Sequence, residues 1–236
     1  TVFIIIALII VGIALLFMVL RGNLGIFGSD SETSSIKVFV ESCIEGTGKD
    51  AILAISQNGG YFLSPELSTA DGIPYYYINR RNYMPSKETV EREISLYMDS
   101  SLPFCTNGFA NFPDFNIIEG EVSTRTEIKE REITFNVNYP ITIRKGDKTT
   151  ITKDFKNIKI SVDMLSVYSA IERIINDQVS RGNEEICVSC ISQIASENGL
   201  IINMESLDEG ITFAVRDENQ MIKGIALEWR FANNYD

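Results

Sequence analysis

Four cysteines and the absence of histidine bound the chemistry that this chain of 236 residues can carry. Cys187-Val-Ser-Cys190 is a CxxC, whose residue types and spacing allow a structural disulfide, a redox pair, half of a four-thiolate zinc site, or buried unpaired thiols. A redox pair needs a stabilised thiolate, and Glu184 and Glu185, immediately before the motif, oppose one. A zinc site needs Cys43 and Cys105 to converge on the same point, and an exported protein would normally oxidise such thiols. An even count behind an export-like opening favours two disulfides and an oxidising compartment. Proximity in the chain favours Cys187 with Cys190, which leaves Cys43 with Cys105; sequence alone does not choose among the connectivities.

Other reaction classes find little support. Ser-His-Asp and Cys-His constellations are excluded, because no histidine exists to act as base. Among 32 acidic residues no carboxylate pair stands out for acid–base work. Asn58-Gly59-Gly60 reads as a helix stop rather than a phosphate-binding loop. DENQMIKG, from Asp217, lacks the oxygen-ligand spacing of a calcium loop. The chain is therefore expected not to be an enzyme and to need neither metal nor cofactor. One cluster could serve recognition: Tyr75, Tyr77 and Tyr83 with Arg80 and Arg81, residue types enriched at binding hot spots. The competing reading packs alternate tyrosines of a short strand inward beneath the two arginines.

These residues must be held by elements whose patterning is legible. Residues 1–20, TVFIIIALIIVGIALLFMVL, carry no charge; Arg21 is the first. As a helix, about 20 residues would span roughly the 30 Å hydrocarbon core of a bilayer. The stretch is longer than a cleaved signal core and lacks a basic flank, and the chain opens on Thr1 rather than Met, so either processing just before Thr1 or an artificial cut at that point is expected. Gly22, Gly25 and Gly28 predict a hinge, and 29–35 a flexible polar linker. All the acidic residues lie beyond Gly28, with every basic residue except Arg21. So acidic a head repels nucleic acid and anionic lipid alike.

Within the head, Ile36, Val40, Cys43, Thr47, Ala51 and Ile55 mark one face of a helix over 36–57. A loop-rich stretch containing PYYYINRRNY follows, and a second helix over 86–99 is capped by Ser86. From Glu119 the period becomes two: VSTRTEI, ITFNVNYPITI and TITKDFKNIKISV predict a meander. Helices over 164–180 and 184–197, then three short strands, close the chain. The order implies an α+β fold, a long N-terminal apolar helix followed by a globular head with antiparallel sheet and several helices. The expected division is 1–28, 29–35 and 36–236.

An uncharged opening, a neck and a globular head together resemble an archaeal type IV pilin or archaellin. Ile5 stands where many bacterial pilins carry glutamate, and the head is larger than the small β-sandwich usual in the archaeal family. The resemblance implies a homopolymeric extracellular filament, passing through the membrane before assembly, with Val2, Phe3, Ile6, Ala7, Ile10, Gly12, Ala14 and Phe17 at the contacts of its core. Adhesion to a host cell or surface ligand would be its role. VESCIEGTGKDAI, NGGYF, LPFC and VNYPITIRKGDK resemble a group of uncharacterised archaeal surface proteins with one N-terminal span. The alternative is accordingly a single-pass anchored ectodomain acting as adhesin or receptor. If both disulfides form, the non-reduced protein should weigh about four hydrogens less than the reduced chain. Intact mass spectrometry showing four free thiols would remove both disulfides and the oxidising compartment.

Overall fold

The computed structural model describes residues 27–182, 186–207 and 210–235. Among these the fold is α+β, with four α-helices and two sheets. Helix α1 (Phe27–Gln57) leads into a hairpin of β1 (Tyr75–Ile78) and β2 (Arg81–Asn82), then α2 (Lys87–Thr106). Strands β3 (Asn116–Glu119), β4 (Ser123–Lys129), β5 (Glu132–Lys145) and β6 (Lys148–Ser161) form one sheet. Helices α3 (Met164–Arg181) and α4 (Val188–Asn198) follow, and β7 (Ile201–Leu207), β8 (Gly210–Ile222) and β9 (Ile225–Asn233) end the fold.

The expected long apolar helix is not among these elements, and the fold expectation is corrected accordingly. No helix among the described residues is long and apolar enough to cross a membrane. The longest, α1, carries Asp30, Glu32, Lys37, Glu41, Glu45 and Lys49 along its length; its buried residues share one face from Ile36 to Gly48 and surround the helix from Ala51 to Ser56. The anticipated core contacts Val2 to Phe17, and Gly22 and Gly25 of the hinge, lie outside the described residues. Gly28 and the stretch expected as a linker, 29–35, belong to α1. GSDSETSS contains no proline, and polar residues do not stop a helix that continues into a packed amphipathic face.

All six residues of the expected face of α1 are buried. The helix passes unbroken through Gly46 and Gly48. A Cβ on Gly48 would lie 3.0 Å from both Ile160 Cδ1 and Phe135 Cε2, so glycine lets the helix approach the second sheet closely. Helix α2 starts as expected, with Ser86 Oγ accepting from the Thr89 amide, but runs through Pro103 to Thr106. Cys105, in that last turn, bonds to Cys43 on α1 with Cα atoms 5.7 Å apart. Thr106 Oγ1 donates to Glu119 Oε2 (3.0 Å) and the Tyr139 hydroxyl donates to the same carboxylate, tying the end of α2 to β3 and β5.

The five-stranded sheet runs β2-β1-β9-β8-β7 and includes one parallel pair, β1 with β9, where an antiparallel sheet was expected. The tyrosines of the loop-rich stretch do form the short strand of the competing reading, paired with a partner from the far end of the chain. Its placement is fixed by burial: Tyr76 stacks on Phe231, centroids 4.9 Å apart, and Phe231 on Phe213 at 4.7 Å. In the other sheet β6 pairs along the whole of β5, while β3 and β4 share the opposite edge end to end. Pro140, which has no N–H to give, sits between those two partners and at a register shift against β6. Lys148, Lys153, Lys156 and Lys159 line the outer strand β6, a composition that discourages pairing with another chain.

Asp99 on α2 has Oδ1 buried without a hydrogen-bond partner among the described residues, and burial raises its pKa above the ordinary aspartate value. Such a group stabilises the fold below its unfolded pKa and loses that contribution as pH rises through its folded value. Asp99→Asn should therefore melt higher than the native chain at pH 7, with the two converging near pH 3. A melting-temperature difference that does not change with pH would show that the carboxylate is not the cause.

Candidate functional site

The strongest local chemistry lies where α3 ends and α4 begins. Gly182 closes α3 with φ +69°, its amide reaching back to the Gln178 and Val179 carbonyls. Its own carbonyl accepts from the Tyr77 hydroxyl (2.7 Å) and from Gln178 Nε2 (3.1 Å). Gln178 is 4% exposed, and its Oε1 accepts from the Tyr235 hydroxyl at 3.5 Å. Tyr235 in turn accepts from Asn233 Nδ2 (3.1 Å) and its ring lies 5.6 Å from that of Tyr77. This polar knot joins β1, the end of α3 and residues 233–235.

Cys187 is the N-cap of α4. Its sulfur accepts from the Cys190 amide at 3.2 Å, and the two cysteines are disulfide-bonded with Cα atoms 5.2 Å apart. Both residues are partly exposed. Arg181 crosses from the end of α3: Nε donates to Asp177 Oδ2 (2.8 Å) and Nη2 to Cys190 Sγ (3.3 Å). A cavity of about 410 Å³ opens beside Cys190, lined by Arg173, Asn176, Asp177, Gln193 and Ile194. Arg173 is held across α4 by Glu197, at 2.9 Å.

The expected recognition cluster is dispersed by the hairpin. Tyr77 is fully buried in the polar knot and Tyr75 is half-buried, whereas Tyr83, Arg80 and Arg81 face outward. Asn79 and Arg80, with φ of 50° and 65°, form the tight turn between β1 and β2. The turn brings Arg80 to Gly182: a Cβ there would lie 3.6 Å from Arg80 Nε. Asn82 Nδ2 also donates to Asn176 Oδ1 on α3 (3.4 Å). The tyrosine hairpin thus supports the CxxC corner more than it offers a surface of its own.

Both expected cysteine pairings are formed, so the four sulfurs do not gather as a zinc site would require. Among the described residues no group of three His, Cys, Asp or Glu side chains is placed to hold a metal ion. Sequence reasoning missed Arg181, whose separation of nine residues from Cys190 gives no periodic signal across a helix break. It also missed Gln178, Asn233 and Tyr235, ordinary polar residues until the sheet brings them together. Comparison with protein-family models, with curated proteins and with solved structures finds no match.

Tyr77→Phe deletes one donor to the Gly182 carbonyl and should cost about 1 kcal/mol of stability. Arg81→Ala, on the exposed hairpin edge, should stay within about 0.5 kcal/mol of the native chain. Urea unfolding monitored by fluorescence measures both; equal effects would mean that the knot contributes nothing.

Proposed function

We propose that the protein is a subunit of an extracellular filament, an acidic head displayed at the cell surface and carried by the uncharged segment 1–20. One observation carries the reading: a stretch without a single charge precedes a head that holds every acidic residue of the chain. Such a stretch is stable in a bilayer or buried among copies of itself, and the head is stable only in water. Two disulfides in the head suit an oxidising exterior. The described residues start with α1 at Phe27, shortly after the apolar segment, and its buried side chains from Ile36 onward are clamped into the core. Force applied at the N-terminal side would therefore reach both sheets, since α1 packs on β6 and on β9.

Ala7, Gly12 and Ala14 are the small residues of the segment and would allow the closest approach between copies. The experiment is negative-stain microscopy of material sheared from cells, on the native chain and on Gly12→Phe. Uniform filaments containing the native chain, absent in the variant although it still inserts into membranes, support the proposal. Recovery of the native chain only in detergent-solubilised membrane would overturn it in favour of a single-span anchored ectodomain.

A further inference from the structure

The Cys187–Cys190 disulfide is not needed to join distant parts of the fold, for it spans three residues within the start of α4. Its surroundings are those of an exchangeable bond. A thiolate on Cys187 would accept from the Cys190 amide at the positive end of α4, and one on Cys190 would lie beside the Arg181 guanidinium. The acidic residues before the motif are thus answered by a cation brought in from α3, although Arg181 is shared with Asp177. Cys190 also lines the open cavity, where an incoming group can reach its sulfur. The other disulfide differs on this point: opening Cys43–Cys105 by attack at the exposed Cys105 would expel a thiolate on Cys43, which is 3% exposed in the core.

We propose that Cys187–Cys190 is a redox-active disulfide that exchanges with paired thiols of another protein at the cavity beside α4. A partner thiolate attacks Cys190 Sγ; the Cys187–Cys190 bond breaks and its electron pair leaves on Cys187, where the Cys190 amide holds the charge. The partner's second thiolate then attacks its own sulfur in the mixed disulfide, and the bond to Cys190 breaks with its pair going to Cys190 beside Arg181. The partner dithiol gives up two electrons and two protons and becomes a disulfide; this chain gains the two electrons, and the protons pass through solvent to its two sulfurs. The cavity walls, with Arg173, Asn176 and Gln193, provide donors for the backbone carbonyls of a peptide carrying the thiols. This holds whether the head is carried on a filament or on a lone anchor.

The test uses the full chain in detergent, equilibrated with mixtures of reduced and oxidised dithiothreitol, acid-quenched, and mapped by maleimide labelling and mass spectrometry. Cys187–Cys190 should open at mixtures at least about tenfold less reducing than Cys43–Cys105, about 30 mV for this two-electron couple. Arg181→Gln should move the equilibrium several-fold toward the disulfide, Arg181→Lys should restore most of the shift, and Arg125→Gln, on exposed β4 away from the cavity, should leave it in place. With glutathione disulfide as probe, Cys187→Ser should accumulate a mixed disulfide on Cys190. A pair as resistant as Cys43–Cys105, or an equilibrium indifferent to Arg181→Gln, would overturn the proposal and leave a structural staple.

Discussion

The fold depends on one buried chain of hydrogen bonds. Trp229 donates its indole N–H to the Tyr76 hydroxyl (2.9 Å), and that hydroxyl donates to the Gly59 carbonyl (2.7 Å). Trp229 lies on β9, Tyr76 on β1 and Gly59 just past α1, so three regions remote in sequence meet at one oxygen. Both aromatic residues are fully buried, and burial raises the Tyr76 pKa well above the ordinary phenol value, keeping it a neutral donor. In so dry a setting an unpaired indole N–H or carbonyl would cost far more than a surface hydrogen bond returns. The junction also demands glycine: a Cβ on Gly59 would fall 2.6 Å from the Arg230 carbonyl oxygen, and the backbone there has φ +59°. The parallel pairing of β1 with β9 follows from this junction, not from any strand propensity.

Around that junction α1 links the two sheets, lying against β9 on one side and β6 on the other. The Cys43–Cys105 bond holds α2 to it, and the Thr106–Glu119–Tyr139 group then secures α2 to the second sheet. Each is a constraint between elements that the hydrophobic effect would bring together without specifying their register. Polar groups that must find partners when buried specify it. The most exposed charges pair locally, as Lys37 does with Glu41 and Lys129 with Glu127, and contribute little to the fold.

The CxxC corner shows how such constraints position reactive groups. Tyr77 binds the Gly182 carbonyl, and Gly182 ends α3 at the point from which Arg181 reaches Cys190. The same strand that buries Tyr76 in the central junction therefore also anchors the reactive corner through its neighbour Tyr77. Neighbouring residues of a strand point to opposite faces, so one short hairpin serves both faces of the sheet. Aromatic residues that look like a recognition patch in the sequence are instead the frame of a site built from α3 and α4.

Local pattern carried a good part of this. Helical spacing from Ile36 to Ile55, the Ser86 cap, the alternation in β4, β5 and β6 and the closing strands were all legible, because periodicity reports which face an element buries. Parity pointed to two disulfides and proximity favoured the pairing found, but the fold decided the connectivity by bringing Cys43 and Cys105 together across 62 residues. The start of α1 at Phe27, the run of α2 through Pro103 and the parallel pairing of Tyr75–Ile78 with the last strand were not legible. Each depends on packing that overrides weak local preference. Arg181 on the Cys190 sulfur, Gln178 under Tyr235 and the Trp229–Tyr76–Gly59 chain belong to the tertiary structure alone, since hydrogen bonds between residues far apart in the chain leave no period behind. The amino-acid sequence by itself determined that this chain has an uncharged opening, an acidic head, no histidine and four cysteines, because charge and residue type need no neighbours. Only the folded chain decided which polar groups share a dry interior, because an unpaired donor or acceptor is costly only once water has been excluded.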